Sequence, residues 1–164
     1  MNSYEFKTKP FDHQLSVIRE TWDKDYYALF MEMGTGKTKV VIDTMAILHE
    51  ANKINAALII APKGVFDNWV RKEIPAHLPA RIARNIVRWQ PNITQKFHDE
   101  LEPFVLDSFE GLKLFVMNVE AFSTSKGVQI AKVFLKKNPK NMVIVDESTT
   151  IKNRKASRTK NIIA

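Results

Sequence analysis

Three observations predict an α/β fold with a parallel β-sheet sandwiched between helices. Apolar runs short enough to be strands alternate along the chain with stretches of helical periodicity. The strongest runs, Ala56-Ala-Leu-Ile-Ile-Ala61 and Asn141 to Val145, are apolar on both faces, as strands covered on both sides must be. A glycine-rich turn, Met31-Glu-Met-Gly-Thr-Gly-Lys-Thr38, falls between an apolar run and a long amphipathic stretch and so joins a strand to a helix.

Taken in order, Asp12 can cap a helix reaching about Asp23, in which Leu15, Ile18 and Trp22 recur at helical spacing. Tyr26 to Met31, apolar and aromatic, is expected to be a strand feeding the glycine turn. From Lys37 to about Asn52 the pattern is helical, with Val41, Met45 and Leu48 on one face. Pro62 stops the Ala56–Ala61 run, and Val65, Trp69 and Val70 suggest a short helix that Pro75 and Pro79 break. Weaker strands are expected at Asn85 to Trp89 and Leu114 to Val119, with helices near 93–101 and 125–137. The strongly apolar Asn141–Val145 is expected at the centre of the sheet. No repeat, low-complexity tract or linker interrupts the chain, so residues 1–164 are expected to form a single lobe.

Composition narrows the function classes. At 164 residues, 45% hydrophobic and 26% charged, the chain has the length and balance of one globular domain. No apolar run approaches the roughly 20 residues that span a bilayer, and the N-terminus lacks a signal peptide's hydrophobic stretch. The expectation is a soluble intracellular protein, cytoplasmic or nuclear, with no membrane partner. Without cysteine there are no disulfides and no thiolate ligands or nucleophiles, and four scattered histidines show no zinc-binding spacing. The net charge of +7 is uneven: Lys152, Arg154, Lys155, Arg158 and Lys160 lie in the last fourteen residues without an acid among them. Such a segment suits contact with a phosphate backbone, although a solvated helix face near a chain end accounts for the charge equally well.

The turn at 31–38 has the chemistry of a phosphate-binding loop. Backbone N–H groups from Met33 through Gly34, Thr35, Gly36, Lys37 and Thr38 can converge on a phosphate because the glycines carry no side chain to block it. Lys37 would reach the β- and γ-phosphates, and the Thr38 hydroxyl would ligate Mg²⁺. The pattern departs from G-x-x-x-x-G-K-[ST] at its first position, where Met31 stands. About 110 residues later, Met142-Val-Ile-Val-Asp-Glu-Ser148 ends an apolar strand in two adjacent acids. Alone this is commonplace; behind a phosphate loop it becomes a candidate pair, Asp146 for the metal and Glu147 for the attacking water. On parallel sheets ligands gather beyond the strands' carboxyl ends, where both motifs are expected.

These residues resemble the first, RecA-like lobe of superfamily-2 helicases and translocases, and within them the Swi/Snf-type ATPases, from about residue 9 to residue 160. Swi/Snf-type loops typically read Asp-Glu-Met-Gly-Leu-Gly-Lys-Thr, from which this chain departs at Met31 and Thr35. Pro10-Phe-Asp-His-Gln14 looks like the family's segment ending in Tyr-Gln, which by resemblance gives Gln14 the adenine edge. Leu58 to Trp69 looks like motif Ia, implying that Pro62-Lys63 touches a nucleic-acid backbone and that Trp69 is core rather than a stacking platform. Phe115 to Phe122 is loosely similar to motif Ib, with Asn118 as a phosphate contact. Asp146-Glu-Ser-Thr-Thr-Ile-Lys-Asn153 resembles the Asp-Glu-Ala-His/Gln box and the following Ile-Lys-Asn, with Ser148 and Thr149 in place of Ala and His/Gln.

The resemblance implies an ATP hydrolase, using ATP and Mg²⁺, that moves along nucleic acid, with double-stranded DNA as the expected partner. It also implies a fragment: the family's motif III strand, which lies between the strand of the phosphate loop and that of the acidic pair, should follow residue 164. So should a second lobe in cis, whose arginine finger is worth about 10³- to 10⁵-fold in phosphoryl transfer generally. The chain alone is therefore expected to be weakly active or inactive. One alternative is a non-catalytic module derived from such a lobe, binding nucleotide or a partner without turnover. Another is a small nucleotide or metabolite kinase whose lid the basic tail imitates, a reading in which Gln14 and Ile-Lys-Asn have no role.

Overall fold

In the computed structural model, the residues described are 4–106, 108–147 and 157–163. Four parallel strands, β1 (Ala56–Ala61), β2 (Arg84–Arg88), β3 (Leu112–Asn118) and β4 (Asn141–Val145), pair in the order β2-β3-β1-β4. β1 is buried throughout and its residues divide by parity between two cores, because successive side chains on a strand point to opposite faces. Ala57, Ile59 and Ala61 join Leu112, Leu114 and Val116 of β3 in one core, and Leu58 and Ile60 join Phe115 and Met117 in the other.

Helices cover both faces. α1 (Asp12–Thr21) packs on α2 (Lys37–Glu50), and α2 lays Ile42, Met45 and Ala46 on the first face. Beside it run α3 (Lys63–Asn68), a π turn (Trp69–Glu73) and α4 (Ile74–His77), contributing Trp69, Ile74 and Leu78 to the same core. α5 (Gln95–Val105) and α6 (Ser125–Lys137) close the second face with Phe97, Leu101, Phe104, Ala131 and Phe134. A last helix, α7 (Ser157–Ile163), docks on the 3₁₀ turn Val119–Ser123. The three-layer α/β architecture with a parallel sheet is as the sequence predicts. No helix among the described residues is long and apolar enough to cross a membrane.

Three expectations need correction. First, Tyr26–Met31 pairs with no strand among the described residues, and Tyr26 and Phe30 are 95% and 96% exposed. It runs in the strand direction: Lys53, just before β1, stacks over Trp22 at its start, while Lys37 donates to the Met31 carbonyl at its end. Between it and Asn141, Met142 and Val143 of β4 lies a groove of about 930 Å³. Strands pair only when about 4.8 Å apart, so across that gap the segment finds no ladder to join. Second, β4 is not central; among the described residues it is an edge, with Val143 47% exposed on it. Third, Pro75 does not end the helix after β1. The Ile74 amide donates to the Trp69 carbonyl five residues back, and this wider turn lets the chain pass a residue that has no N–H to give.

Candidate functional site

The glycine turn hands over to α2 through Gly36, its N-cap, which with Gly34 takes left-handed backbone angles (φ 81° and 79°) that a side chain disfavours. Among the described residues no side chain caps α2, and its first turn holds no acid, so its leading amides and the positive end of its dipole are left to face an anion. Lys37 Nζ donates to the carbonyls of Met31 and Glu32, both at 2.9 Å, and Thr35 Oγ1 donates to Glu32 O at 2.7 Å, so the loop is stitched by its own side chains. Thr38 is half-buried in the first helical turn. Met33 projects into solvent, 94% exposed, leaving its backbone as the part that lines the loop.

Gln14 is brought to this loop from α1. Its Nε2 donates to Thr35 O at 3.0 Å, and its Oε1 accepts from the Phe11 amide at 3.0 Å. His13 lies beside it, a ring nitrogen 3.2 Å from the same Thr35 oxygen, a contact the sequence reading did not anticipate.

α2 has 14 residues, about 21 Å at 1.5 Å per residue, and β1 has six, about 20 Å at 3.3 Å per residue. Since the short link 51–55 turns α2 into β1 and the two pack face to face, the N-terminus of α2 returns to the level of β1's carboxyl end. The acidic pair emerges at the same edge. The Asp146 amide donates to Ile60 O at 2.8 Å, one rung beyond β4, and Glu147, exposed, then turns the chain with a left-handed φ of 49°. Asp146 Oδ1 accepts from the Glu147 amide at 3.0 Å, and Oδ2 accepts from the indole N–H of Trp69 at 2.7 Å.

Trp69 is core, as expected, 1% exposed, but its tie to Asp146 was not foreseen. The one available signal was generic: a buried indole N–H requires an acceptor. Lys63 is exposed at the start of α3, two residues past Ala61, and Asn118 is the register partner of Ala61, so both stand at neighbouring strand tips. Asn118 Oδ1 is buried without a donor among the described residues. Ser148, Thr149 and Ile151-Lys152-Asn153, like the basic residues Arg154 and Lys155, lie outside the described residues.

A buried ion pair on the flank of α2 has a perturbed ionisation. Asp43 is fully buried against Lys39 Nζ at 2.6 Å; burial pushes its carboxyl above the ordinary value, while the bond from Lys39 pulls it down. Lys39 also donates to Thr8 O, pinning residues 4–10 across α2. Among the described residues no three His, Asp or Glu side chains converge as a metal cage. A cation at this edge would share its ligands among Asp146, the Thr38 hydroxyl and bound phosphates, the usual manner of Mg²⁺.

Residues 18–164 match the family model of the SNF2-related domain. Over 132 residues, 80% of the chain, it is 27% identical to the ATP-dependent helicase fft1 of Schizosaccharomyces pombe, of which it covers 13%. The Sulfolobus solfataricus SWI2/SNF2 ATPase core in complex with dsDNA superposes with a TM-score of 0.55 at 14% identity, covering 99% of this chain and 36% of that one. The structural likeness speaks for the fold, and the family match over nearly the whole length decides membership: the chain belongs to the SNF2-related domain family.

Proposed function

We propose that this chain is the ATP-binding lobe of a nucleic-acid-dependent ATPase that moves along double-stranded DNA. The observation that supports the reading is that the N-terminus of α2 behind Gly34–Lys37 and Asp146-Glu147, one step beyond β4, both lie toward the carboxyl ends of the strands. In this reading Lys37 leaves the Met31 and Glu32 carbonyls for the β- and γ-phosphates, and the amides of Gly34 to Thr38 receive phosphate oxygens. Asp146 and Thr38 would hold Mg²⁺, whose charge would offset that developing on the phosphates. Glu147 orients and deprotonates water, and Gln14, against the loop, selects adenine. Lys63 and Asn118 stand beside each other as contacts to the polymer backbone, which a motor tracking duplex needs in preference to base readout. Similarity to an ATP-dependent helicase and to an ATPase core in complex with dsDNA supports ATP and duplex DNA as the ligands.

The test is ATP hydrolysis by the protein carrying this chain, measured with duplex DNA, single strands and RNA in parallel. Stimulation by duplex and loss of turnover in Lys37→Ala are expected; robust turnover surviving that substitution refutes the assignment. A second reading, nucleotide binding without turnover, is favoured by Met31, which stands where the phosphate-loop pattern has its first glycine. It predicts ATP binding lost in Lys37→Ala with no hydrolysis under any of the three polymers.

A further inference from the structure

We propose that Trp69 is a positioning residue for the metal-holding carboxylate of Asp146, an assignment that rests on the reading of Asp146 given above. A carboxylate at a strand tip is free to rotate about its terminal bond unless something holds it. Here both oxygens are held: Oδ1 by the Glu147 amide at 3.0 Å and Oδ2 by Trp69 Nε1 at 2.7 Å, a short bond of the charge-assisted kind. The Glu147 amide belongs to the same turn as Asp146 and moves with it. The indole does not: it belongs to the buried core that also holds Ile59, Ala61, Ile74 and Val116 and is 1% exposed, so it can act as a fixed reference for the carboxylate plane.

The backbone at Trp69 is shaped for this reach. Trp69 opens the π turn, and π turns are uncommon and collect at functional sites. The indole N–H takes one lone-pair direction of Oδ2 and leaves the others for a cation or its water. Partners that orient a metal-holding carboxylate typically contribute 10- to 100-fold in metal affinity. That is the effect assigned to Trp69.

The experiment titrates Mn²⁺ against the protein with and without ATP, following free Mn²⁺ by electron paramagnetic resonance. Trp69→Phe keeps an aromatic ring in the core but removes the N–H. Replacement by benzothienylalanine, which exchanges only the N–H for sulfur, guards against a packing effect. Both should weaken Mn²⁺–ATP about 10- to 100-fold while leaving metal-free ATP binding in EDTA unchanged. Ile74→Val, a neighbour in the same core, should lower the melting temperature without moving the Mn²⁺ affinity. Unchanged Mn²⁺ affinity in both Trp69 variants overturns the assignment, as does equal weakening in Ile74→Val. If wild-type protein binds ATP but holds no Mn²⁺, the metal role of Asp146 falls and Trp69's with it; Lys37→Ala with intact ATP binding fails the proposed loop instead.

Discussion

Gln14 and Gly36 are in such close contact that a β-carbon on Gly36 would lie 2.3 Å from Gln14 Nε2. The glycine therefore serves two ends: it permits the left-handed angle that opens α2, and it lets α1 press its glutamine onto the loop. Gly36→Ala should cost about 1–3 kcal/mol, the range for forcing atoms into a packed site, with the backbone penalty included. Gln14→Ala added to it removes the clash and keeps the backbone strain, so the double variant should recover part of the loss. Thermal unfolding of the three variants checks this; full recovery would mean the φ angle costs nothing.

The Lys39–Asp43 pair makes a sharper prediction. With Asp43 fully buried and its Oδ1 without a donor among the described residues, removing the cation strands a carboxylate in apolar surroundings. Lys39→Met should cost about 3–5 kcal/mol, whereas Lys39→Met with Asp43→Leu should recover most of it, because two apolar side chains owe no desolvation. Denaturant midpoints of single and double variants give the comparison. A single variant as stable as the double would show that the pair is not energetically buried.

His77 gives the chain a pH dependence of known sign. Burial first, then nearby Lys39, lowers its pKa from the ordinary 6.5, Glu73 opposing, while its Nδ1 lies 3.0 Å from Thr8 Oγ1. A lowered folded pKa means the unfolded chain takes up the proton first. The contribution of His77 to stability is therefore present above pH 6.5 and lost as pH falls through the folded pKa. Melting temperature should drop on acidification from pH 7 more steeply in the wild type than in His77→Gln. Parallel curves would remove His77 from the account.

The exposed edge of β4 is a pairing hazard. Among the described residues β4 pairs on one side only, and an open edge beside an exposed apolar residue such as Val143 invites another chain. Val143→Lys should reduce concentration-dependent association of the chain in sedimentation or light scattering while changing stability by no more than about 0.5 kcal/mol. Undiminished association would place the sticky surface elsewhere, Phe30 being the next candidate.

What the sequence made legible is what local pattern decides. Ala56–Ala61 is buried on both faces, as its unbroken apolar run requires, and the start of α6 at Ser125 follows from Thr124, whose hydroxyl caps the helix by accepting from Gly127 N–H. The loop was legible because its glycines have a geometric job that two φ angles confirm. Tyr26–Met31 has strand composition but needs a neighbour, and composition does not supply one. Pro75 predicts a stop because proline has no N–H to continue an α-helix; the π turn before it evades the rule. The bond from Trp69 to Asp146 joins residues 77 apart, a distance over which periodicity carries no information.

The stranded course of Tyr26–Met31 decides how the glycine loop that follows it answers solvent. Amides on β1 sit between two ladders and should surrender their protons only on global unfolding, whereas those feeding the loop have no ladder and should exchange early. An anion gripped by the start of α2 would have to quieten that tether, and the free energy of doing so is subtracted from its affinity. Deuterium uptake across 26–36, slowed by nucleotide and unaffected in Ala56–Ala61, is the form that coupling would take.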